Sequence, residues 1–283
     1  IPTSAATDDV YYNKAKNDQV SYTQSLRNFH NLYVKKKLIE GVSKRGDILI
    51  DYAVGKAGDM SKWKSAGVKF VFGLDVSKDN IYNQNNGACA RYLNERSKTP
   101  RMFDAIFLPG NSSLNIRSGE AFFNSKEHAI CDAILGKGPK DATKMGAMVY
   151  NHYGIGEKGF NVSSCQFALH YFFESGTTFN NFLRNISENT APGGHFIATC
   201  YDGQTVFDML RPKKRDESIA LYVNEGKNKI FEIQKQYDYT GFEDDETSLG
   251  YAINVFQESI NKYAVEYLVN YEFFRRSMEN YGF

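Results

Sequence analysis

Four cysteines, Cys89, Cys131, Cys165 and Cys200, are spread over 283 residues, with no C-x-x-C and no Cys/His pair at zinc-finger spacing. Their scarcity argues against a disulfide framework or a structural zinc, predicts no metal site, and fits a reducing compartment. Long hydrophobic runs are missing too. None approaches the ~18 to 20 residues of a membrane span, and the N-terminus lacks the basic-then-apolar profile of a signal peptide, so a soluble chain without a membrane partner is expected. Excess charge is lacking: 34 Lys and Arg against 33 Asp and Glu leave a formal net charge of +1. Any anionic partner must therefore be held by a local cluster rather than by bulk charge. G-x-S-x-G, H-E-x-x-H, G-x-x-x-x-G-K-[ST] and K-x-D-G do not occur, which removes serine hydrolase, zinc peptidase, P-loop and nucleotidyl-transfer chemistry.

What the chain does have is length enough for one large domain or two small ones, and many rings, 21 Phe and 19 Tyr, most of which a core will use. Ile1 stands where a Met would start a chain, as expected of an excised domain or a processed product. Residues 1–25 are polar and irregular and read as a mobile N-terminal arm. From Leu26, the spacing of Phe29, Leu32, Tyr33, Leu38 and Ile39 predicts an amphipathic helix closed by Gly41 and Gly46. Buried strands are then expected at Ile48–Ala53, Lys69–Asp75, Asp104–Leu108, Asn161–Cys165 and His195–Thr199. Helices are expected at Asp59–Ala66, Asn80–Lys98, Gly119–Leu135 and Thr178–Thr190. That alternation predicts an α/β fold with a mostly parallel central sheet covered on both faces. An insertion over about 116–159, Gly-rich towards its end, interrupts the pattern. An antiparallel extension is expected over about 202–265, with strands at Ile219–Val223 and Lys229–Tyr237, and a last amphipathic helix is expected to begin near Val265.

Two features point to a nucleotide-like ligand. The first strand runs into Asp51-Tyr-Ala-Val-Gly-Lys-Ala-Gly-Asp59, a glycine-bearing turn that lets backbone approach a ligand at the carboxyl edge of a sheet. Asp75 closes the second strand, where a carboxylate accepts hydrogen bonds from both hydroxyls of a ribose. The spacing of Ala53, Gly55 and Gly58 satisfies a relaxed dinucleotide fingerprint, so this turn serves NAD as well as S-adenosylmethionine.

Further segments carry a family resemblance. Arg27-Asn-Phe-His-Asn31, Gly55-Lys-Ala-Gly-Asp-Met-Ser-Lys-Trp63, Cys165-Gln-Phe-x-x-His-Tyr171 with Phe173-Glu-Ser175 behind it, Pro192-Gly-Gly194 and Val265-Glu-Tyr-Leu-Val269 occur in this order. Together, from about Leu26 to Phe283, they resemble the mRNA cap (guanine-N7) methyltransferases, in the form found in capping enzymes of large DNA viruses.

The resemblance implies a Rossmann-like class I methyltransferase fold over residues 26–283. It also implies S-adenosylmethionine as cofactor, with S-adenosylhomocysteine as product, and a GpppN-capped RNA 5′ end as substrate. On the cofactor side it implies Lys35, Ala53 and Gly55 at the turn, Asp75 on the ribose, Asn111 and Ser112 beside the adenine, and Gln166 with Tyr171 near the methionine end. On the cap side it implies His170 and Tyr171 at the guanine, Glu266 accepting from N1–H and the exocyclic amine, and Lys56 and Arg91 toward the phosphates. No acid, base or nucleophile is expected: a guanine N7 lone pair and an activated methyl donor need positioning only.

Departures from the family pattern shape further expectations. Ala53, Val54 and Ala57 stand where the family's turn carries Gly, Cys and Gly, and Asn111 where an Asp is common, which predicts weaker cofactor binding. The family continues past the helix that ends this chain with two further strands, so the sheet is expected to be incomplete or completed by another segment. A methyltransferase for another RNA position and an inactive, stimulatory methyltransferase-fold module are the alternatives. Upstream triphosphatase and guanylyltransferase domains or a stimulatory subunit are the expected partners, and the cytoplasm, a viral factory or a virion the expected location.

Overall fold

A computed structural model describes residues 21–283; of the arm expected over 1–25, everything before Ser21 lies outside the described residues. The chain divides into two compact units. Lys35–Gln166 with Asn180–Ala198 carries a parallel sheet; residues 21–34, Phe167–Phe179 and Thr199–Phe283 carry an antiparallel one.

The helix expected from Leu26 is built in three pieces: α1 (Gln24–Asn28), a π-helical turn (Phe29–Val34) and α2 (Lys35–Val42). Gly41 lies inside α2 rather than closing it. A helix tolerates an interior glycine at a cost of only about 1 kcal/mol. Gly46, at φ +92, makes the turn into the first strand.

The parallel sheet follows the apolar runs. Its strands are β1 (Ile48–Asp51), β2 (Phe70–Asp75), β3 (Asp104–Pro109), β4 (Phe160–Gln166) and β5 (Thr190–Thr199), in the order β3-β2-β1-β4-β5. β1 pairs in parallel with β2 (Ile50 opposite Phe72) and with β4 (Ile50 opposite Ser163). β1 to β4 are buried along most of their length and so read as runs rather than as alternating segments, whereas β5 is half-buried or exposed apart from Ile197. β5 begins earlier than expected, directly after the preceding helix, and takes in Pro192-Gly193-Gly194, with Gly193 at φ +76.

Helices cover both faces. On one, Ile39 of α2, Trp63 of α3 (Met60–Ala66) and Tyr92 of α5 (Ala88–Lys98) pack with Leu49, Val71, Ala105 and Phe107. On the other, Phe182 of α8 (Gly176–Asn189) meets Tyr52 edge-on at 5.4 Å. Each fully buried large side chain contributes about 1.5 to 3 kcal/mol. The helix expected over Asn80–Lys98 is divided into α4 (Lys78–Tyr82) and α5, because Asn83 Oδ1 accepts from the amides of Asn85 and Asn86 and so competes with the helical pattern. The insertion carries two helices, α6 (Ser125–Ile134) and α7 (Ala147–Asn151).

The antiparallel sheet, β6 (Ser218–Val223), β7 (Asn228–Lys235), β8 (Ala252–Gln257) and β9 (Lys262–Tyr267), runs in chain order. Ile233, Ile253 and Val255 pack with Phe207 and Leu210 of α9 (Gly203–Leu210). Here the last helix expected near Val265 is corrected: Val265 and Glu266 lie on β9, paired with Asn254 and Ile253. The helix, α10 (Tyr271–Asn280), starts only where Asn270 Oδ1 accepts from Phe273 N at 3.0 Å. Cross-strand pairing claimed the Tyr263-Ala-Val-Glu-Tyr267 segment before helical spacing could. The fold is thus α/β and Rossmann-like, with five strands in the parallel sheet among the described residues.

Candidate active site

In the parallel-sheet unit the chemistry-bearing residues collect at the carboxyl ends of the strands, beside the point where strand order reverses between β1 and β4. Asp51, the last residue of β1, is buried and accepts from Ala53 N at 3.1 Å. Burial, and then the nearby charge of Asp59, push its carboxyl up to about 7. The turn beyond it is pinned twice to β2: Val54 N donates to Leu74 O at 2.8 Å, and Gly55 N to Asp75 Oδ2 at 2.8 Å. Gly55 and Ala57 both sit in the left-handed region, at φ +54 and +53. Ala57 therefore holds the conformation that the expected glycine would, at a cost of roughly 1 to 2 kcal/mol.

Asp75 is the hub of this end. Its Oδ1 accepts from Ser77 N and Asn80 Nδ2, both at 3.0 Å, while Oδ2 takes the Gly55 amide. Burial raises its pKa, and these three bonds oppose that shift. The carboxylate expected on a ribose thus also fixes the turn that would face the rest of the ligand.

Lys35, on α2, pairs with Asp59 Oδ2 at 3.3 Å, and Lys62 with Asp59 Oδ1 at 2.7 Å. After β3, Ser112 Oγ donates to Tyr52 O at 2.7 Å, and Asn111 Oδ1 accepts from Ser113 N at 2.9 Å. Gln166, ending β4, donates to Ser164 Oγ at 3.3 Å. Lys56 Nζ lies 3.3 Å from Asp79 and donates to Asn86 Oδ1 at 2.8 Å, and Arg91 Nη1 donates to Lys56 O at 2.6 Å. The structure thus brings Arg91 to the backbone of Lys56, while the Lys56 ammonium is held by Asp79 and Asn86.

Sequence reasoning missed the residue that organises this end. Asn185 of α8 donates to the carbonyls of Ser112 and Leu114 at 2.9 and 2.8 Å, and its Oδ1 accepts from Ile116 N at 2.9 Å. A buried amide satisfied this fully holds the loop carrying Asn111 and Ser112 in one shape. The signal was an Asn on the apolar stripe of Phe182 and Ile186.

In the antiparallel-sheet unit the arrangement is the reverse. His170 and Tyr171 lie on a 3-10 turn (Leu169–Phe173), with ring centroids 4.2 Å apart and planes inclined by 61°. The turn follows Phe167, a bulky residue held at φ +57 by its amide bond to Thr199 O at 3.0 Å. Glu266 comes from β9. His170 is 4% exposed and Glu266 2%, and His170 Nε2 stands 3.7 Å from Glu266 Oε2, beyond hydrogen-bond reach. Neither imidazole nitrogen, nor Glu266 Oε2, has a hydrogen-bond partner among the described residues. Burial lowers the imidazole to about 3 and raises the carboxyl to about 8, so near pH 7 both are neutral and the contact is not an ion pair. Tyr201, whose hydroxyl accepts from Gln257 Nε2, lies within electrostatic reach of Glu266 and was not anticipated.

The donor set suits the two ligands the sequence suggested. Around Gly55 and Gly58 there is open space where a Cβ would stand, so backbone is free to meet a ligand, and Asp75 supplies a carboxylate for hydroxyls. Orphaned buried polar atoms at His170 and Glu266 suit a planar polar base.

Comparison with known proteins gives the family. A family model for the mRNA (guanine-N(7))-methyltransferase domain matches residues 7–283. The chain is 28% identical over 272 residues to the probable mRNA-capping enzyme of Acanthamoeba polyphaga mimivirus, covering 95% of this chain and 21% of that protein. It is 25% identical over 275 residues to the mRNA cap guanine-N(7) methyltransferase of Saccharomyces cerevisiae, covering 95% of this chain and 53% of that one. It thus spans from about a fifth to about half the length of these curated relatives. Among solved structures, the CcbJ methyltransferase from Streptomyces caelestis is similar with a TM-score of 0.49 and 12% identity, covering 88% of this chain and 76% of that one. On the match across nearly its whole length, the chain belongs to the mRNA (guanine-N(7))-methyltransferase domain family.

Proposed function

We propose that residues 26–283 form one methyltransferase domain, with an insertion at about 116–159 and a substrate-side extension at about 202–265, that methylates N7 of the guanine in a GpppN cap. The observation that carries this reading is the buried, unpartnered His170 and Glu266 pair, 3.7 Å apart, in the motif positions that the family resemblance assigns to guanine. A carboxyl and an imidazole left without partners cost stability unless a ligand uses them.

In this reading Asp75, through its bond to Gly55 N, both binds ribose hydroxyls and holds the Ala53–Gly55 turn open. Asn111 and Ser112 meet the adenine, in a loop that Asn185 keeps in place. Lys35 neutralises Asp59 beside the turn, and Gln166 and Tyr171 border the methionine end. S-adenosylmethionine, when bound there, supplies a methyl group already activated on a sulfonium. Glu266 accepts from guanine N1–H and the exocyclic amine, His170 and Tyr171 orient the base, and Lys56 and Arg91 meet the phosphates. No residue moves a proton at N7, whose lone pair is free at neutral pH; catalysis rests on in-line positioning, worth up to roughly 7 to 11 kcal/mol in favourable cases. The left-handed backbone kept at Ala57 supports an active enzyme over an inactive module, since the turn keeps its shape without the glycine.

The 21% share of the mimivirus protein supports a place beside further capping domains, triphosphatase and guanylyltransferase, or a stimulatory subunit, in the cytoplasm, a viral factory or a virion. No helix of the described residues is long and apolar enough to cross a membrane. The test is incubation with radiolabelled S-adenosylmethionine and either GpppA-capped or 5′-triphosphate RNA, followed by nuclease digestion. Labelled m7GpppA from the capped RNA alone is expected; no label, or label elsewhere, overturns the proposal.

A further inference from the structure

Glu266 is a deeply buried carboxyl facing the guanine motif, and its Oε2 receives no hydrogen bond among the described residues. The groups around it come from four elements. From the 3-10 turn, His170 approaches to 3.7 Å without a hydrogen bond, with Tyr171 against its ring. From the segment after β5, the phenol of Tyr201 is engaged by Gln257. On β9 itself, Tyr267 Oη donates to Glu174 Oε1 at 3.1 Å. On β7, in the same cross-strand row through Ile253, Lys235 spends its ammonium on the carbonyls of Leu210 and Lys213, at 3.4 and 2.9 Å. No cation and no amide is directed at the carboxyl among the described residues.

A carboxylate in such a place would be an uncompensated buried charge, so the group rests as the neutral acid. The acid is the wrong partner for guanine. Its O–H is a donor facing N1–H and the exocyclic amine, which are donors themselves, whereas the carboxylate has two acceptor oxygens for those two donors.

We infer that Glu266 is a proton-coupled reader of the base: it waits as the neutral acid, and entry of a base presenting two adjacent donors expels its proton to solvent and leaves a carboxylate bonded to that edge. The step balances: the Glu266 O–H bond breaks, its proton passes to the buffer, and two hydrogen bonds from the base replace it, with His170 neutral throughout. This rests on the guanine reading above. It adds that proton release distinguishes the bases, because a base with an acceptor at the N1 position can take the O–H of the neutral acid and gives no cause to ionise it. The titration of Glu266 at about 8 supports the same direction, since near pH 7 nearly the whole proton remains to be released. Affinity for the cap should therefore rise about tenfold per pH unit between pH 6 and 7 and level off above about pH 8.

The test uses the full chain and GpppA, whose bridging phosphates have no group titrating near neutrality, in calorimetric titrations at pH 7 in phosphate and in Tris, buffers of very different ionisation heat. Close to one proton released per GpppA bound is expected, with the tenfold rise in affinity from pH 6 to pH 7. ApppA should release none, whatever its affinity. In Glu266→Gln, GpppA should bind more weakly, with no release and no pH dependence. GpppA binding to the native chain with equal heats in both buffers overturns the inference and leaves the cap reading standing. A folded chain that neither binds GpppA nor methylates it overturns both.

Discussion

The two units handle a buried carboxylate in opposite ways. In the parallel-sheet unit Asp75 is buried but receives three hydrogen bonds, from Gly55, Ser77 and Asn80, so its acceptor capacity is used to hold the chain itself in shape. In the antiparallel-sheet unit Glu266 is buried more deeply still, with its Oε2 orphaned and a neutral His170 for company. The first is built before any ligand arrives. The second is left without a partner at Oε2, which costs stability that a ligand bonded there would return. Under the proposed reading, a preorganised seat at Asp75 and an unfilled one at Glu266 would suit a reaction whose catalysis is positioning.

The sharpest way to break the contrast is Asp75→Ala. It strands two backbone amides and an amide side chain, each net bond being worth about 0.5 to 1.5 kcal/mol. Urea denaturation should show a loss of about 2 to 4 kcal/mol, with S-adenosylmethionine binding lost alongside; a chain equally stable without Asp75 would show that the hub is ornamental. Glu266→Ala should do the opposite: cap methylation falls by roughly 10- to 100-fold in kcat/KM, the scale of hydrogen bonds to a charged group, while cofactor affinity stays as it was. If cofactor affinity fell equally, the division of labour between the units would fail.

A backbone test lies in the parallel-sheet unit alone. Gly159, entering β4 at φ +86, would place a Cβ 2.6 Å from Ala191 N and 2.8 Å from Thr190 C, so both strain and collision fall on backbone. Gly159→Ala should cost about 2 to 3 kcal/mol in thermal or urea unfolding. The poised carboxyl also has a pH signature. A carboxyl whose folded value is raised to about 8 contributes stability that is complete below its unfolded value near 4.5 and is lost as pH rises toward 8. Glu266→Gln should remove that decline, at most about 1.4 kcal/mol per pH unit, so urea midpoints of the variant at pH 5 and pH 8 should lie closer together than those of the native chain. The smallest effect is expected at Ala57→Gly. Relief of the left-handed strain is offset by the buried methyl it removes, about 0.8 kcal/mol, and by glycine's greater unfolded entropy, so stability should shift by less than about 1 kcal/mol. A larger gain would mean that the turn is under more tension than its φ of +53 implies.

The same contrast shows where the sequence was legible. β1 to β4 were readable because strands buried on both faces show no competing alternation, and of β5 only the stretch around the buried Ile197 was readable. β8 and β9 were not, and Val265 and Glu266 were assigned to a helix, because short alternating segments such as Tyr263-Ala-Val-Glu-Tyr267 become strands only when a partner lies alongside. Glu266 and His170 were nominated by motif alone. Nothing in their spacing, 96 positions apart with a sheet between them in the chain, foretold that their polar atoms would stop 3.7 Å from each other. Asn185, Lys62 and Tyr201 escaped notice because each matters through contacts with residues distant in sequence.

By itself, then, the sequence determined the local facts: where apolar runs make buried strands, where a glycine-bearing turn follows the first of them, and which short motifs stand in which order. Those depend on side-chain chemistry and neighbours a few residues away. Only the tertiary structure decided that Asp75 would receive three donors and Glu266 Oε2 none. Solvation and hydrogen bonding of a buried group are set by whichever distant atoms the fold brings against it, and those atoms determine its charge.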